Sequence, residues 1–286
     1  YLQGREMIRR RGPHNVEEGI RHLERSLRLD EDFAPAHAQL AIAAGLLNYY
    51  GKYSLEETKQ IAIPHLDRAQ ELEPNLAEAH GGRANLALAG DPEGAIEHAR
   101  KALAANPNYP DAMNWLFNAL WALGHYEESY AALEQMLVID PLTVIGRANY
   151  IALLVERRQS EEAHEMADQL LAQSPLWGYF AHADTSLIEG KIAESLYWGL
   201  KHGREMGQLG HFAIVAFNLV GEYDEARRDN DDIQAIFVDI DQGNFDDAIR
   251  KAQQYLRLNP DNEYAIRTAA DAFYTAGHLD EALTLC

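Results

Sequence analysis

Gly124-His-Tyr-Glu-Glu-Ser129 is the stretch that decides the fold. It reads as a glycine, a bulky residue two positions on, a pair of acids, then a small residue. The phrase returns as Gly221-Glu-Tyr-Asp-Glu-Ala226, Gly243-Asn-Phe-Asp-Asp-Ala248 and Gly277-His-Leu-Asp-Glu-Ala282. Looser copies stand at His14-Asn-Val-Glu-Glu-Gly19, Tyr53-Ser-Leu-Glu-Glu-Thr58, Gly90-Asp-Pro-Glu-Gly-Ala95, Arg158-Gln-Ser-Glu-Glu-Ala163 and Gly190-Lys-Ile-Ala-Glu-Ser195. Nine copies in one chain make repetition the organising fact, ahead of any single motif.

Working outward, a second mark follows several copies. Pro74, Pro107, Pro141 and Pro175 step by 33, 34 and 34 residues, Pro260 closes a later unit, and Ala248 to Ala282 again spans 34. Each feature has a physical task. The glycine ends a helix in the left-handed conformation. The acids sit in the first turn of the next helix, where its dipole favours negative charge. The small residue lets two helices cross closely, and proline stops the second helix by forcing its predecessor out of helical geometry. A single helix pair cannot bury its own apolar face, so the pairs must stack.

This period and turn chemistry resemble the tetratricopeptide repeat over nearly the whole chain, most clearly from Pro110 to Pro141. The resemblance implies an all-α fold, an α-α superhelix of about eight to nine helix pairs. Expected helices run 1–11, 15–29, 33–48, 55–72, 76–89, 92–105, 109–123, 126–139, 142–157, 160–173, 176–189, 192–205, 208–220, 222–229, 231–242, 245–258, 262–276 and 279–286. Residues 1–175 read as regular repeats, 176–242 as divergent ones with a kink, and 243–286 as regular again but cut off at the C-terminus. An insertion falls at Asn48 to Ser54. Ala226 to Ala248 spans only 22 residues, which calls for either a stub or one fused helix between 203 and 243. Leu116, Leu120, Leu133, Met136, Leu153 and Leu170 are the expected core.

Composition excludes several functions. With 45 acids against 25 bases the formal net charge is −20, which repels phosphate backbones and anionic lipid, so direct nucleic-acid binding is not expected. Cys286 is the one cysteine, so no disulfide or cysteine-rich zinc site can form within one chain. Phe33 to Tyr50, the most apolar stretch, is interrupted by Pro35, His37 and Gln39, so no membrane insertion is expected. The chain opens at Tyr1 and closes at Leu285-Cys286 inside a helical pattern, which reads as an excised piece of a longer protein. The expected compartment is the cytoplasm, or the periplasm if a membrane helix precedes the piece.

Chemical motifs are wanting. Gly45 to Tyr53 resembles a phosphate loop but has five residues between its glycines and Tyr53 in the magnesium position. Asp239 to Gly243 resembles a calcium loop with its glycine one position early and Arg250 in place of the closing acid. The twelve histidines show no paired metal spacing, and His22 and His98, like His125 and His278, hold equivalent places in their repeats, which argues for architecture. No catalytic residue, cofactor site or metal site is assigned. Glu222 to Arg250 is strongly acidic, either a solvated face or a site for a basic partner. Arg9-Arg10-Arg11 either meets a neighbouring domain or acidic partner, or closes a helix C-terminus.

In repeats of this kind the first helices line the concave side. That places Asp111, Asn114, Asn118 and Trp121 in the groove, then Ala148, Ala152 and Val155, then Tyr264, Arg267, Asp271 and Tyr274. Amides on one helical stripe suit a peptide backbone, and Trp121 suits either an anchor for a partner side chain or packing on the next repeat. The expected partner is a protein or peptide in this groove, with self-association as a further option. Beyond the repeat, Tyr1 to Arg5, Arg9 to Arg11, Val16 to Asp30, Phe33 to Ala41 and Leu72 to His80 resemble the start of repeat regions found in bacterial class III adenylate/guanylate cyclases and winged-helix regulators. That resemblance implies a regulatory, non-catalytic region of a bacterial signalling protein whose output domain lies elsewhere. It carries no catalytic residue onto this chain.

Overall fold

The computed structural model describes residues 1–206, 239, 243–258, 272, 273, 276–278 and 281. Among them every regular element is an α-helix: α1 (Leu2–Arg9), α2 (Pro13–Leu29), α3 (Ala34–Tyr49), α4 (Leu55–Leu72), α5 (Ala77–Ala87), α6 (Pro92–Ala105), α7 (Pro110–Ala122), α8 (Tyr126–Ile139), α9 (Val144–Glu156), α10 (Ser160–Gln173), α11 (Pro175–Ile188), α12 (Ile192–Met206) and, beyond a gap in the description, α13 (Phe245–Leu258). The expected helices at 208–242, 262–276 and 279–286 lie outside the described residues or nearly so. So does the irregularity at 203–243, apart from a few residues at its edges.

The chain divides into two compact units, Tyr1–Leu153 and Leu154–Cys286. Within the first, α1 packs on α2, α3 on α4, α5 on α6 and α7 on α8, while α3, α5 and α7 lie side by side as a layer of first helices. Within the second, α10 packs on α11 and α11 on α12.

One turn is reused throughout. Gly124, Gly190, Gly243 and Gly277 all have φ between 75° and 85°, in the left-handed region. At each, the amide of the following residue reaches back five positions: His125 to Leu120, Lys191 to Ser186, Asn244 to Asp239 and His278 to Phe273, all at 2.8–2.9 Å. This helix end satisfies a carbonyl that the helix leaves open. The insertion at Asn48 to Ser54 keeps the device: Gly51 is left-handed, Lys52 N–H reaches Leu47, and Ser54 then caps α4 in a reciprocal pair with Glu57.

The small residue of the turn is buried in every described repeat that holds one: Gly19, Thr58, Ala95, Ser129, Ala163, Ser195 and Ala248. At Gly19 a Cβ would lie 2.8 Å from Ile8 Cγ1 and 2.9 Å from the Gly4 carbonyl oxygen across α1 and α2. At Ser129 and Ser195 the hydroxyl donates to a carbonyl of the facing helix, Phe117 and Ala183 respectively, both at 2.9 Å. Leu120, Leu133, Met136, Leu153 and Leu170 are buried as expected. Leu116 is only half-buried; Met113 and Trp115, which pattern reading passed over, take the core positions of α7.

Candidate functional site

The first-helix layer of the first unit ends on a cavity of about 250 Å³. It is lined by α1, by Gln39 of α3 and Glu78 of α5, by the loop and first turn around Tyr109 and Asp111, and by the turn from Asp140 to Ile145. The N-terminal helix thus reaches residues a hundred and more positions away. Arg11 pairs with Asp111, and Arg9 lies 3.6 Å from Asp140. The arginine run expected to face an outside partner or to close a helix is largely spent inside the chain. Arg10 pairs with Glu6, as does Arg9, and Arg11 turns inward to 3% exposure.

The backbone at Arg11 is held in an unfavourable state. Its φ is +60°, a conformation that costs a non-glycine residue about 1–2 kcal/mol. Neighbours enforce it. Asn15 Nδ2 donates to the Arg11 carbonyl at 2.7 Å, and the next amide, Gly12 N–H, donates to Tyr50 Oη at 2.8 Å. The Tyr50 hydroxyl is itself made less acidic by burial. Such strain persists where the surroundings over-determine it. The side chain so placed is a guanidinium with Asp111 on Nη2 and no partner within the protein on Nη1.

Tyr109 forms the other side. It stacks edge-on against Trp115, and both rings close over Gly81, where a Cβ would lie 2.5 Å from Trp115 and 2.9 Å from Tyr109. The tyrosine hydroxyl is buried without a protein partner. Burial first, then the carboxylates of Asp111 and Glu78, push its pKa well above the ordinary phenol value, so it remains a hydrogen-bond donor.

The stripe expected in the groove runs along α7 away from this cavity. Asp111 lines the cavity. Asn114 is buried, and its Oδ1 accepts from Asn149 Nδ2 at 2.9 Å. Asn118 Nδ2 donates to the Asn114 carbonyl at 2.7 Å, and the residue is half-buried. Trp121 is 47% exposed, with Tyr126 edge-on beside it. On α9, Ala148 and Val155 are buried and Ala152 half-buried. Tyr264, Arg267, Asp271 and Tyr274 lie outside the described residues. The structure therefore joins Asp111 to Arg11 and Asn114 to Asn118 and Asn149. Tyr109, Glu78 and Asp140 were not singled out in the sequence. Tyr109 stands at the same place before its helix as Phe33 and Leu76, where it reads as an ordinary packing residue.

Histidines of facing helices pair within each unit. His37 and His65 meet through their Nδ1 atoms at 2.7 Å; His80 stacks on His98 and His164 on His182. Among the described residues no group of three or more His, Cys, Asp or Glu side chains is placed to hold a metal ion. None of the described helices is long and apolar enough to cross a membrane.

Comparison with known proteins agrees with this architecture. Two family models described as tetratricopeptide repeat match, one over residues 86–145 and 239–286, the other over 59–110. Residues 59–145 and 239–286 carry tetratricopeptide repeats. Among solved structures it is similar to a human IFIT1 dimer with m7Gppp-AAAA, at 14% identity and a TM-score of 0.54 over 99% of this chain and 69% of that one. It is also similar to Pseudomonas aeruginosa PilF, at 21% identity and a TM-score of 0.48 over 81% of this chain and 93% of that one. A third, YrrB, described as a TPR protein with an unusual peptide-binding site, gives 19% identity and 0.39 over 68% and 96%. At 14% identity the likeness to the IFIT1 structure speaks to fold alone. No curated protein matches the sequence, and the likeness to cyclase and winged-helix regulator regions rests on the motifs of residues 1–80 alone.

Proposed function

We propose that this chain is a non-catalytic docking module that holds a protein or peptide partner on the first-helix layer of its first unit. The observation that carries the reading is Trp121. A large aromatic ring at 47% exposure, propped edge-on by Tyr126 and next to the exposed Leu123, stands at the end of a helix whose other tryptophan, Trp115, is buried. Exposed tryptophan and tyrosine are the residues on which protein interfaces concentrate their binding energy. Asn118, one turn away, is half-buried, with its amide nitrogen engaged in the helix. The half-buried Ala152 extends the surface, whereas Asn114 and Ala148 are buried and Asp111 belongs to the cavity at Arg11. A place for the module in a bacterial signalling protein is the finer part of this proposal, supported by the sequence motifs of residues 1–41 and 72–80.

The experiment is affinity capture with the full chain, its Trp121→Ala variant and its Asn118→Ala variant. The expected result is a protein retained by the parent chain and lost with Trp121→Ala, with weaker retention in Asn118→Ala. Loss of one interface tryptophan at a binding hot spot costs about 2 kcal/mol or more, roughly thirtyfold in affinity. An unchanged set of captured proteins with a folded Trp121→Ala variant moves the surface elsewhere.

A further inference from the structure

The cavity at Arg11 is separate from the Trp121 surface, and its chemistry is more specific than peptide docking requires. Two of the residues that line it carry a buried donor with no partner within the protein, Arg11 at Nη1 and Tyr109 at its hydroxyl. A cationic N–H and a neutral O–H on the walls of one cavity are suited to an anionic oxygen, and most economically to a carboxylate. Yet the cavity as a whole is not cationic. Its lining carries three arginines and four carboxylates. Arg11 is matched by Asp111, and Arg9 by Glu6 and Asp140. Arg5, the third arginine, lies over the Tyr1 ring at 5.6 Å, and Glu78 is the lining carboxylate that no ion pair claims among the described residues. A phosphate or a dicarboxylate would meet a surplus of like charge there. A simple carboxylate would satisfy the donors and leave Glu78 unmatched. A ligand with a carboxylate at one end and an ammonium at the other satisfies both.

We propose that this cavity binds the zwitterion of a free α-amino acid, with the carboxylate on Arg11 Nη1 and the Tyr109 hydroxyl and the ammonium toward Glu78. The volume of about 250 Å³ suits a ligand of that size. The strained, doubly pinned backbone at Arg11 is the scaffold's provision for the carboxylate end. The site is independent of partner docking, and Trp121→Ala leaves it intact.

The test is calorimetric titration of the full chain with each of the twenty L-amino acids, followed by three relatives of the best binder: its carboxamide, its deamino acid and a tripeptide ending in it. The expected result is that at least one amino acid binds, while the carboxamide and the deamino acid each bind tenfold or more weakly. Tyr109→Phe, which keeps the ring over Gly81, is expected to weaken the amino acid several-fold. Glu78→Gln should weaken the amino acid and leave the deamino acid unaffected, a difference that mere loss of packing would not produce. Three outcomes overturn the proposal. One is that no amino acid binds more tightly than about 10 mM, a free energy of under ~3 kcal/mol. Another is that the deamino acid equals the parent, which makes the site a plain carboxylate site. The last is that the tripeptide outbinds the free amino acid, which makes it a peptide-terminus site.

Discussion

The two units build the same helix-pair turn around different polar interiors. In the first, charge is buried as a pair: Arg11 at 3% exposure against Asp111, with the arginine backbone forced into the left-handed region to make the match. In the second, burial falls on groups that shed or withhold their charge. Desolvation pushes His202 down to about 4 and raises Asp184 to about 6, Asp184 with help from the nearby Glu156. It also lowers His182, against the opposing pull of Asp168. The repeat fixes the backbone and the small-residue crossing, and it leaves open how each interior handles its polar groups. The first unit makes a site from them. The second makes a pH-dependent packing layer.

The largest break of this comparison is Arg11→Met. It leaves Asp111 facing a cavity without its cation, and removing one partner of a buried pair costs about 3–5 kcal/mol. Asp111 is partly exposed, so the lower end applies, about 3 kcal/mol by the same rule. Adding Asp111→Asn should recover much of the loss, since no uncompensated charge then remains. Hydrogen exchange checks this: α7 amides should lose protection in the single variant and regain it in the double. Equal loss in α11 would show the units opening as one body.

The next effect sharpens the contrast from the other side. Asp184 has a folded pKa raised above its unfolded value, so above about pH 6 the folded state must ionise a buried carboxyl, a cost that vanishes as pH falls. Asp184→Asn should therefore stabilise the second unit at pH 7.5. Each pKa unit is worth ~1.4 kcal/mol, so the gain is roughly 3 kcal/mol at most. His202 and His182 have depressed pKa values, so the unfolded chain takes up protons first, and their stability is lost as pH drops below about 6.5 toward 4. In the parent chain Asp184 offsets that loss. In Asp184→Asn the offset is gone, and denaturation midpoints should fall more steeply between pH 6.5 and 4. A parallel pH profile in parent and variant would contradict the assignment.

Much of this was legible in the residues. The turn phrase and the proline steps located α1 to α12 to within about two residues, because helix ends here are set by local chemistry, glycine at one end and a residue before proline at the other. The buried turn residues followed from the same phrase. The cavity did not. Arg11 and Asp111 are a hundred positions apart, and nothing local says that α1 comes back over the start of α7. Tyr109 sits where Phe33 and Leu76 sit in other repeats, and its orphaned hydroxyl appears only once Gly81 and Trp115 are in place. Leu116 was expected in the core for its size. The side chains that fill it are Met113 and Trp115, a choice made by the facing residues Leu133 and Met136 for one and by Tyr109 and Gly81 for the other.

The smallest effect compares the turn itself between the units. Gly124 in the first unit and Arg158 in the second hold the same position, with φ of 76° and 60°. They make the same bonds: His125 N–H to Leu120 and Gln159 N–H to Leu154, at 2.9 and 2.8 Å. Arg158 is exposed and carries no ion pair among the described residues, so its side chain offers nothing against the left-handed cost of about 1–2 kcal/mol. Glycine removes that cost and gives back part of it, about 0.5–1 kcal/mol, as extra freedom of the unfolded chain. Arg158→Gly should therefore stabilise the second unit by about 0.5–1 kcal/mol, and Gly124→Arg should destabilise the first by a similar amount. Matched urea titrations, read by exchange of the Gln159 and His125 amides, measure both. A loss of stability in Arg158→Gly would mean that the arginine side chain holds the turn through a contact glycine cannot make, and the two turns would then be alike in backbone only.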